Sequence, residues 1–336
     1  MHIVDHLSLP DGYSARPYRG VDDHQAMVVI LNAYRVSNGE YQQVTLDQMN
    51  SSYANLVNCD PDRDLAIIEH HGEMVGYVRN YFDDLESGIR QCEIFAPTTP
   101  GHVEEALFTA LVAGQERHMT PWGAGAANAR FAFEAAHPGP GLAPTGEAAW
   151  LESFGYTATH WGAKLVRPDL GEIPDLPLPE GVEIRPVLPE QIKHILKVHW
   201  EAFRGEWDFR EATPEDLRQS LDDPLLDETL WQVAWVGDTV VGQVKPFIND
   251  EENEACGYLR GYTEYISTHS DWRNQGIAGA LLARSLIELK RRGMTSAALG
   301  VDTNNPGGAF HLYTKLGFQL SQYGAVYTKP VPAQAE

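Results

Sequence analysis

The fold is decided by Glu264-Tyr-Ile-Ser267-Thr268-His269-Ser-Asp-Trp-Arg273-Asn274-Gln275-Gly276-Ile277-Ala278-Gly279. Tyr262 to Thr268 is apolar and β-branched and reads as a strand. Ala280 to Lys290 places apolar residues at helical spacing. Between them lie polar residues and glycines. A strand, a Gly-rich turn and a helix N-terminus make an anion site, because the first helical N–H groups have no partner and the helix dipole favours negative charge. Gly276 and Ala278 leave room for a phosphate, and Arg273 can add a guanidinium contact. The spacing excludes two common phosphate loops. No Gly-Lys-Ser/Thr is present for a P-loop, and Asn274 stands where a dinucleotide fingerprint needs its first glycine. What remains is Arg-x-x-Gly-x-Ala.

Thr295 to Asp302 reads as a further strand. It is followed by Asn304-Asn305-Pro306-Gly-Gly308-Ala309-Phe-His311-Leu312-Tyr313-Thr-Lys-Leu316-Gly317-Phe318. Asn-Pro marks a turn and helix start, and Gly317 stands where a helix C-cap belongs. The two motifs, in this order and context, resemble the acetyl-CoA pyrophosphate loop and the last helix of the GNAT superfamily of N-acetyltransferases. The resemblance covers about residues 180 to 330 and reaches the first half of the chain more faintly.

Composition narrows the alternatives. A chain of 336 residues is expected to hold two domains, and 43% hydrophobic residues suffice for packed cores. Met1 to His6 shows no signal-peptide pattern, and no apolar run is long enough to span a bilayer. The three cysteines, Cys59, Cys92 and Cys256, are widely spaced, as expected of reduced thiols. A cytoplasmic protein is expected. The formal net charge of −22 argues against nucleic acid and anionic membrane as partners. His70-His71 lacks further ligands at metal-binding spacing, so no metal is expected.

In chain order, strands are expected at Tyr13–Pro17, 64–69, 74–81, 90–95 and 122–133, with helices at 21–34, 46–56, 103–117 and 148–154. The Pro-rich segment Arg167 to Gly181 reads as an extended linker. The order then repeats: strand 182–186, helices 189–203 and 214–221, strands 230–236 and 239–247. Arg16-Pro17 matches Arg185-Pro186, Met74-Val75-Gly76 matches Val240-Val241-Gly242, and Phe154-Gly155-Tyr156 matches Leu316-Gly317-Phe318. These pairs lie at nearly constant separation, as in an internal duplication. The first copy has Thr99, His102 and Leu151 where the second has Arg273, Gly276 and Tyr313.

The resemblance implies an α/β (α+β) architecture of two tandem GNAT folds. Each is a mixed, mostly antiparallel twisted sheet, splayed between its fourth and fifth strands, with helices on both faces. The expected division is a degenerate N-terminal domain (1–167), the linker (168–181) and a catalytic C-terminal domain (182–336). The arrangement is similar to the mycothiol synthase branch of the superfamily.

The function implied is direct transfer of acetyl from acetyl-CoA to a primary amine of a small molecule, by a monomer or homodimer. Arg273, Asn274, Gln275, Gly276, Ile277, Ala278 and Gly279 would hold the pyrophosphate. Ile266, Ser267 and Thr268 would pair with the pantetheine, and Asn305 would reach its amides. Tyr313 matches the tyrosine that protonates the leaving thiolate. Glu264, a lone carboxylate in an apolar and aromatic run, is the candidate base; its register is shifted by two residues from the family's glutamate. A water chain or His269 are alternatives. The acceptor would meet His199, Trp200, Phe203, Glu206, Trp207, Asp208 and Phe209. An O-acyltransferase and a catalytically silent acyl-CoA sensor remain as other readings.

Overall fold

Short runs rich in apolar and β-branched residues set the strands, and a computed structural model describes residues 1–40, 42–123, 126–303 and 309–332. The first half contributes β1 (Tyr13–Pro17), β2 (Leu65–His70), β3 (Glu73–Asp84), β4 (Ile89–Phe95), β5 (Asn128–His137) and β6 (Thr157–Arg167). The second contributes β7 (Glu183–Ile184), β8 (Gln232–Val236), β9 (Thr239–Ile248), β10 (Arg260–Thr268), β11 (Ser296–Asp302) and β12 (Gln319–Pro330). The helices are α1 (Val21–Ser37), α2 (Leu46–Ala54), α3 (Pro61–Asp64), α4 (Glu105–Met119), α5 (Glu147–Ser153), α6 (Ile192–Glu201), α7 (Pro214–Leu221), α8 (Asp250–Cys256), α9 (Ile277–Arg291) and α10 (Ala309–Lys315).

The chain forms two compact units, each considered by itself. One is Met1–Trp161 with the C-terminal segment from Gln322; the other is Gly162–Ser321. The first unit's sheet runs β1-β2-β3-β4-β5-β12, antiparallel except for β4 beside β5. The second runs from residues 162–167 of β6 through β11, β10, β9 and β8 to β7, antiparallel except for β10 beside β11. The unit boundary therefore falls within β6. In each unit the sheet is completed by a strand from the other half of the chain.

Residues 168–181 form no helix or strand and lie along α9 within the second unit. Arg284 donates to the Leu176 carbonyl (2.8 Å) and Lys290 to that of Gly171 (2.7 Å). Several expected elements are corrected. Trp122 lies in a 3-10 turn, and the strand expected at 122–133 runs from Asn128 to His137. The strand at 182–186 shrinks to Glu183–Ile184, and the helix from Pro189 opens as a 3-10 turn and ends at Glu201.

In the second unit, consecutive residues of β9 show which helices cover which face. A Cβ at Gly242 would meet Ile277 and Leu281 of α9, whereas the Gln243 side chain donates to the Ile195 carbonyl of α6 (3.0 Å). Neighbouring side chains on a strand point to opposite faces, so α9 and α6 cover opposite faces. On the α9 face a Cβ at Gly261 would lie 2.4 Å from Leu289, which is fully buried. Gly261→Ala should therefore lower stability by about 1–3 kcal/mol, read as a fall in Tm.

Candidate functional site

The site is built on one irregularity in β10. Glu264 pairs with Lys245 of β9, but Ser267 pairs with Gln243, so β10 carries one extra residue between them. Tyr265, within this bulge, has φ +54°, a left-handed conformation rare for a bulky side chain. A bulge bends its strand and increases the local twist. β10 remains paired with β9 as far as Thr268, yet it pairs with β11 only from Arg260 to Tyr262. The two parallel strands then diverge, and among the described residues no strand pairs with Ile266, Ser267 and Thr268 on the β11 side.

The gap leaves main-chain groups of β11 to be satisfied. The Gly300 N–H donates to Glu264 Oε1 at 2.9 Å. Burial raises the Glu264 carboxyl to about 7, against the opposing pull of the Lys164 ammonium and the Gly300 N–H. Tyr313 on α10 is buried, with its ring 6.2 Å from that of Phe318. Its phenol is held well above its ordinary range, first by burial and then by the charge of Glu264, so the two groups share one electrostatic environment. On the α6 face, His199 Nδ1 shares a 3.2 Å hydrogen bond with the Ser267 hydroxyl. Burial, aided by the Lys245 charge, keeps His199 neutral.

The turn after β10 leads into α9. Asn274 and Gly276 both have left-handed φ, +62° and +82°. Turns of this kind direct main-chain N–H groups into an anion-binding concavity. Gly276 is the N-cap of α9, no side chain caps the helix, and a Cβ there would meet nothing within 4 Å. Gly276 thus stands exposed at the start of α9, just ahead of the first-turn N–H groups of Ile277, Ala278 and Gly279. Arg273 is exposed, and its guanidinium donates to the Ala202 carbonyl at the end of α6 (2.9 Å) and to the Thr268 carbonyl (3.4 Å). Gln275 donates to the Asp271 carbonyl (3.3 Å). Asn305 lies outside the described residues.

A cavity of about 490 Å³ opens on the α6 face, and its walls include His199, Trp200, Phe203, Asp208 and Phe209. Glu206 and Trp207 are absent from its lining. Sequence reasoning missed Tyr265, Asp223 and Lys245. Lys245 stands in an apolar strand run, where its burial beneath aromatic rings has no local signal.

Comparison with known proteins agrees with this geometry. Residues 192–318 match the model of the Acetyltransferase (GNAT) family. The matched segment lies within the second unit. Mycothiol acetyltransferase of Geodermatophilus obscurus is 31% identical over 150 residues, 43% of this chain and 47% of the relative. That of Salinispora arenicola is 31% identical over 174 residues, 51% of this chain and 55% of the relative. The chain thus spans about half the length of the curated relatives it matches. Across nearly the whole chain, the fold is similar to that of a GCN5-related N-acetyltransferase from Sphaerobacter thermophilus. That structure has TM-score 0.69 and 19% identity, with 98% of this chain and 99% of that one covered. A tandem GNAT protein from the clavulanic acid biosynthesis pathway has TM-score 0.65 at 13% identity, covering 96% and 100%. The fold is a tandem GNAT fold. Gly276→Glu would put a carboxylate into the open space before α9; binding of CoA, measured by calorimetry, is expected to fall below detection, while the left-handed φ at this position lowers the Tm by only a few degrees.

Proposed function

We propose that the chain transfers an acetyl group from acetyl-CoA to the primary amine of a small molecule, by direct attack within the second unit. The observation that carries this reading is the gap between β10 and β11, with the Glu264 carboxyl fixed in it and Tyr313 in its field. The turn from Arg273 to Gly279 would hold the pyrophosphate on main-chain N–H groups, and the unpaired edge of Ile266, Ser267 and Thr268 would take the pantetheine as an added strand. Asn305 is proposed for the pantetheine amides. The co-substrate supplies an activated thioester.

Each residue then has a defined task. Glu264 Oε takes a proton from the incoming ammonium, directly or through water. A carboxyl raised to about 7 is matched to that task near neutral pH. Tyr313 Oη gives a proton to the departing thiolate; a phenol held above its ordinary range stays protonated until then. The neutral His199 cannot repel an approaching cation. Sequence similarity to proteins named mycothiol acetyltransferase supports a small-molecule amine as acceptor.

Thiol release from acetyl-CoA in the presence of an amine panel, with product masses, tests the reading. Acetylated amine is expected. CoA binding without turnover would favour a sensor, and an ester product an O-acyltransferase.

Because Glu264 works deprotonated, kcat at saturating amine should rise as pH passes upward through about 7 and then level off. Glu264→Gln should abolish that rise and lower the plateau by about 10²–10⁴-fold. Tyr313→Phe should lower kcat by about 10²-fold with CoA affinity nearly unchanged; an unaltered rate would remove its assigned role.

A further inference from the structure

The α6 face holds a cation that the proposed chemistry does not use. Lys245 of β9 is 4% exposed and lines a cavity with Leu196, Asp223, Trp231, Phe247 and Tyr265. Its ammonium lies 5.5 Å from the Trp231 ring centroid and 4.7 Å from that of Tyr265. Among the described residues, no hydrogen bond or ion pair reaches it. A buried ammonium resting only on aromatic faces lacks a counter-charge. The wider cavity described above shares His199, Trp200, Ser220, Asp223 and Tyr265 with this one, so the lysine lies at one end of the space open to an acceptor.

We propose that Lys245 binds a carboxylate of the acceptor, which makes the acceptor an amine that also carries an acid, such as an amino acid or short peptide. This rests on the transferase reading above. The charge count selects a monoanion. One ammonium balances one carboxylate, and the Asp223 side chain in the same wall disfavours a phosphate dianion. A polyamine is disfavoured because it would bring a second cation against a buried one. The aromatic lining suits an apolar body between the two charged ends.

The lysine's own protonation supports the assignment. Burial lowers it to about 7, and a bound carboxylate would restore the charged form. The groups around it are His199 from α6, Asp223 from the segment after α7, and Glu264 and Tyr265 from β10. His199 is neutral and the Tyr265 phenol protonated at neutral pH. Carboxylate binding should therefore weaken as pH rises from 7 to 8.5, by on the order of tenfold.

The test is calorimetric titration of the CoA-saturated protein with matched pairs, such as phenylalanine against phenethylamine, leucine against isopentylamine, and glycyl-leucine against its amide. Wild type is expected to bind a carboxylate member at least tenfold more tightly than its counterpart at pH 6.5, and to lose that margin by pH 8.5. Lys245→Met should remove the margin, while Lys245→Arg, which keeps the charge, should retain part of it. Melting curves establish that the variants fold; if Lys245→Met does not, the wild-type pH dependence and Lys245→Arg decide. The proposal is overturned if no pair shows a margin, or if a folded Lys245→Met keeps it. A margin without thiol release from acetyl-CoA would leave the carboxylate site standing and overturn the transferase reading instead.

Discussion

One extra residue in β10 governs the second unit. A strand can keep its full ladder on both sides only while its register holds. The bulge between Glu264 and Ser267 spares the β9 ladder and ends the β11 ladder at Tyr262. Three consequences follow from this. β10 gains an edge that can accept another extended chain. Main chain of β11 loses its strand partner, and the Gly300 N–H turns to Glu264. The carboxyl that satisfies it is removed from water and becomes a much weaker acid. The gap, the position of the carboxyl and its basicity are thus not separate features to be assembled. The left-handed Tyr265 stores the cost of all three.

The first unit builds a similar frame with other residues at the corresponding positions. Its β3–β4 ladder brings Arg79 opposite Phe95, as β9–β10 brings Lys245 opposite Glu264. The ladder from Arg79–Phe95 to Asp84–Arg90 shows no register shift, and β4 stays parallel to β5 from Ile89 to Glu93, farther than β10 follows β11. A ring at Phe95 can neither accept an N–H bond nor take up a proton. Both units keep a cation on the aromatic side of the strand: Arg79 lies over Tyr53, Tyr81 and Phe95, and Lys245 over Trp231 and Tyr265. Only the second has a carboxylate at the facing position.

How much of this can be read in the sequence depends on how local the cause is. The helix Pro214–Leu221 carries its capping Thr213 and Asp216 within one turn, and its observed bounds coincide with the expected ones. Strands β3, β9 and β10 are legible as local runs of apolar, β-branched and aromatic residues. By contrast, α8 rests on an Asn249 cap and buried Glu252 and Asn253, without an apolar stripe, and it went unread. So did β6 and β12, whose partners, β11 and β5, lie far away in the sequence. In the site, Glu264 stood out as an acid among apolar neighbours. The bulge did not, because an extra residue shows only against a partner strand. Lys245 did not either, since the rings above it come from Trp231, just ahead of β8, and from Tyr265 on β10.

The alternation along β9 has a last consequence for how such a site can vary. Gly242 faces α9, while Gln243 and Lys245 face α6 and the cavity. The two faces communicate only through the gap beside β10, where Glu264 and Tyr313 sense one another. Substitutions in Trp200, Trp231 or Lys245 reshape the cavity without touching the N–H groups before α9. Substitutions near Gly276 act on the turn before α9, which does not line the cavity. In the reading proposed here, acceptor choice and co-substrate binding are therefore separable down to neighbouring residues of a single strand. Only changes at the bulge itself should affect both, because there the ladder that positions one face ends and the opening to the other begins.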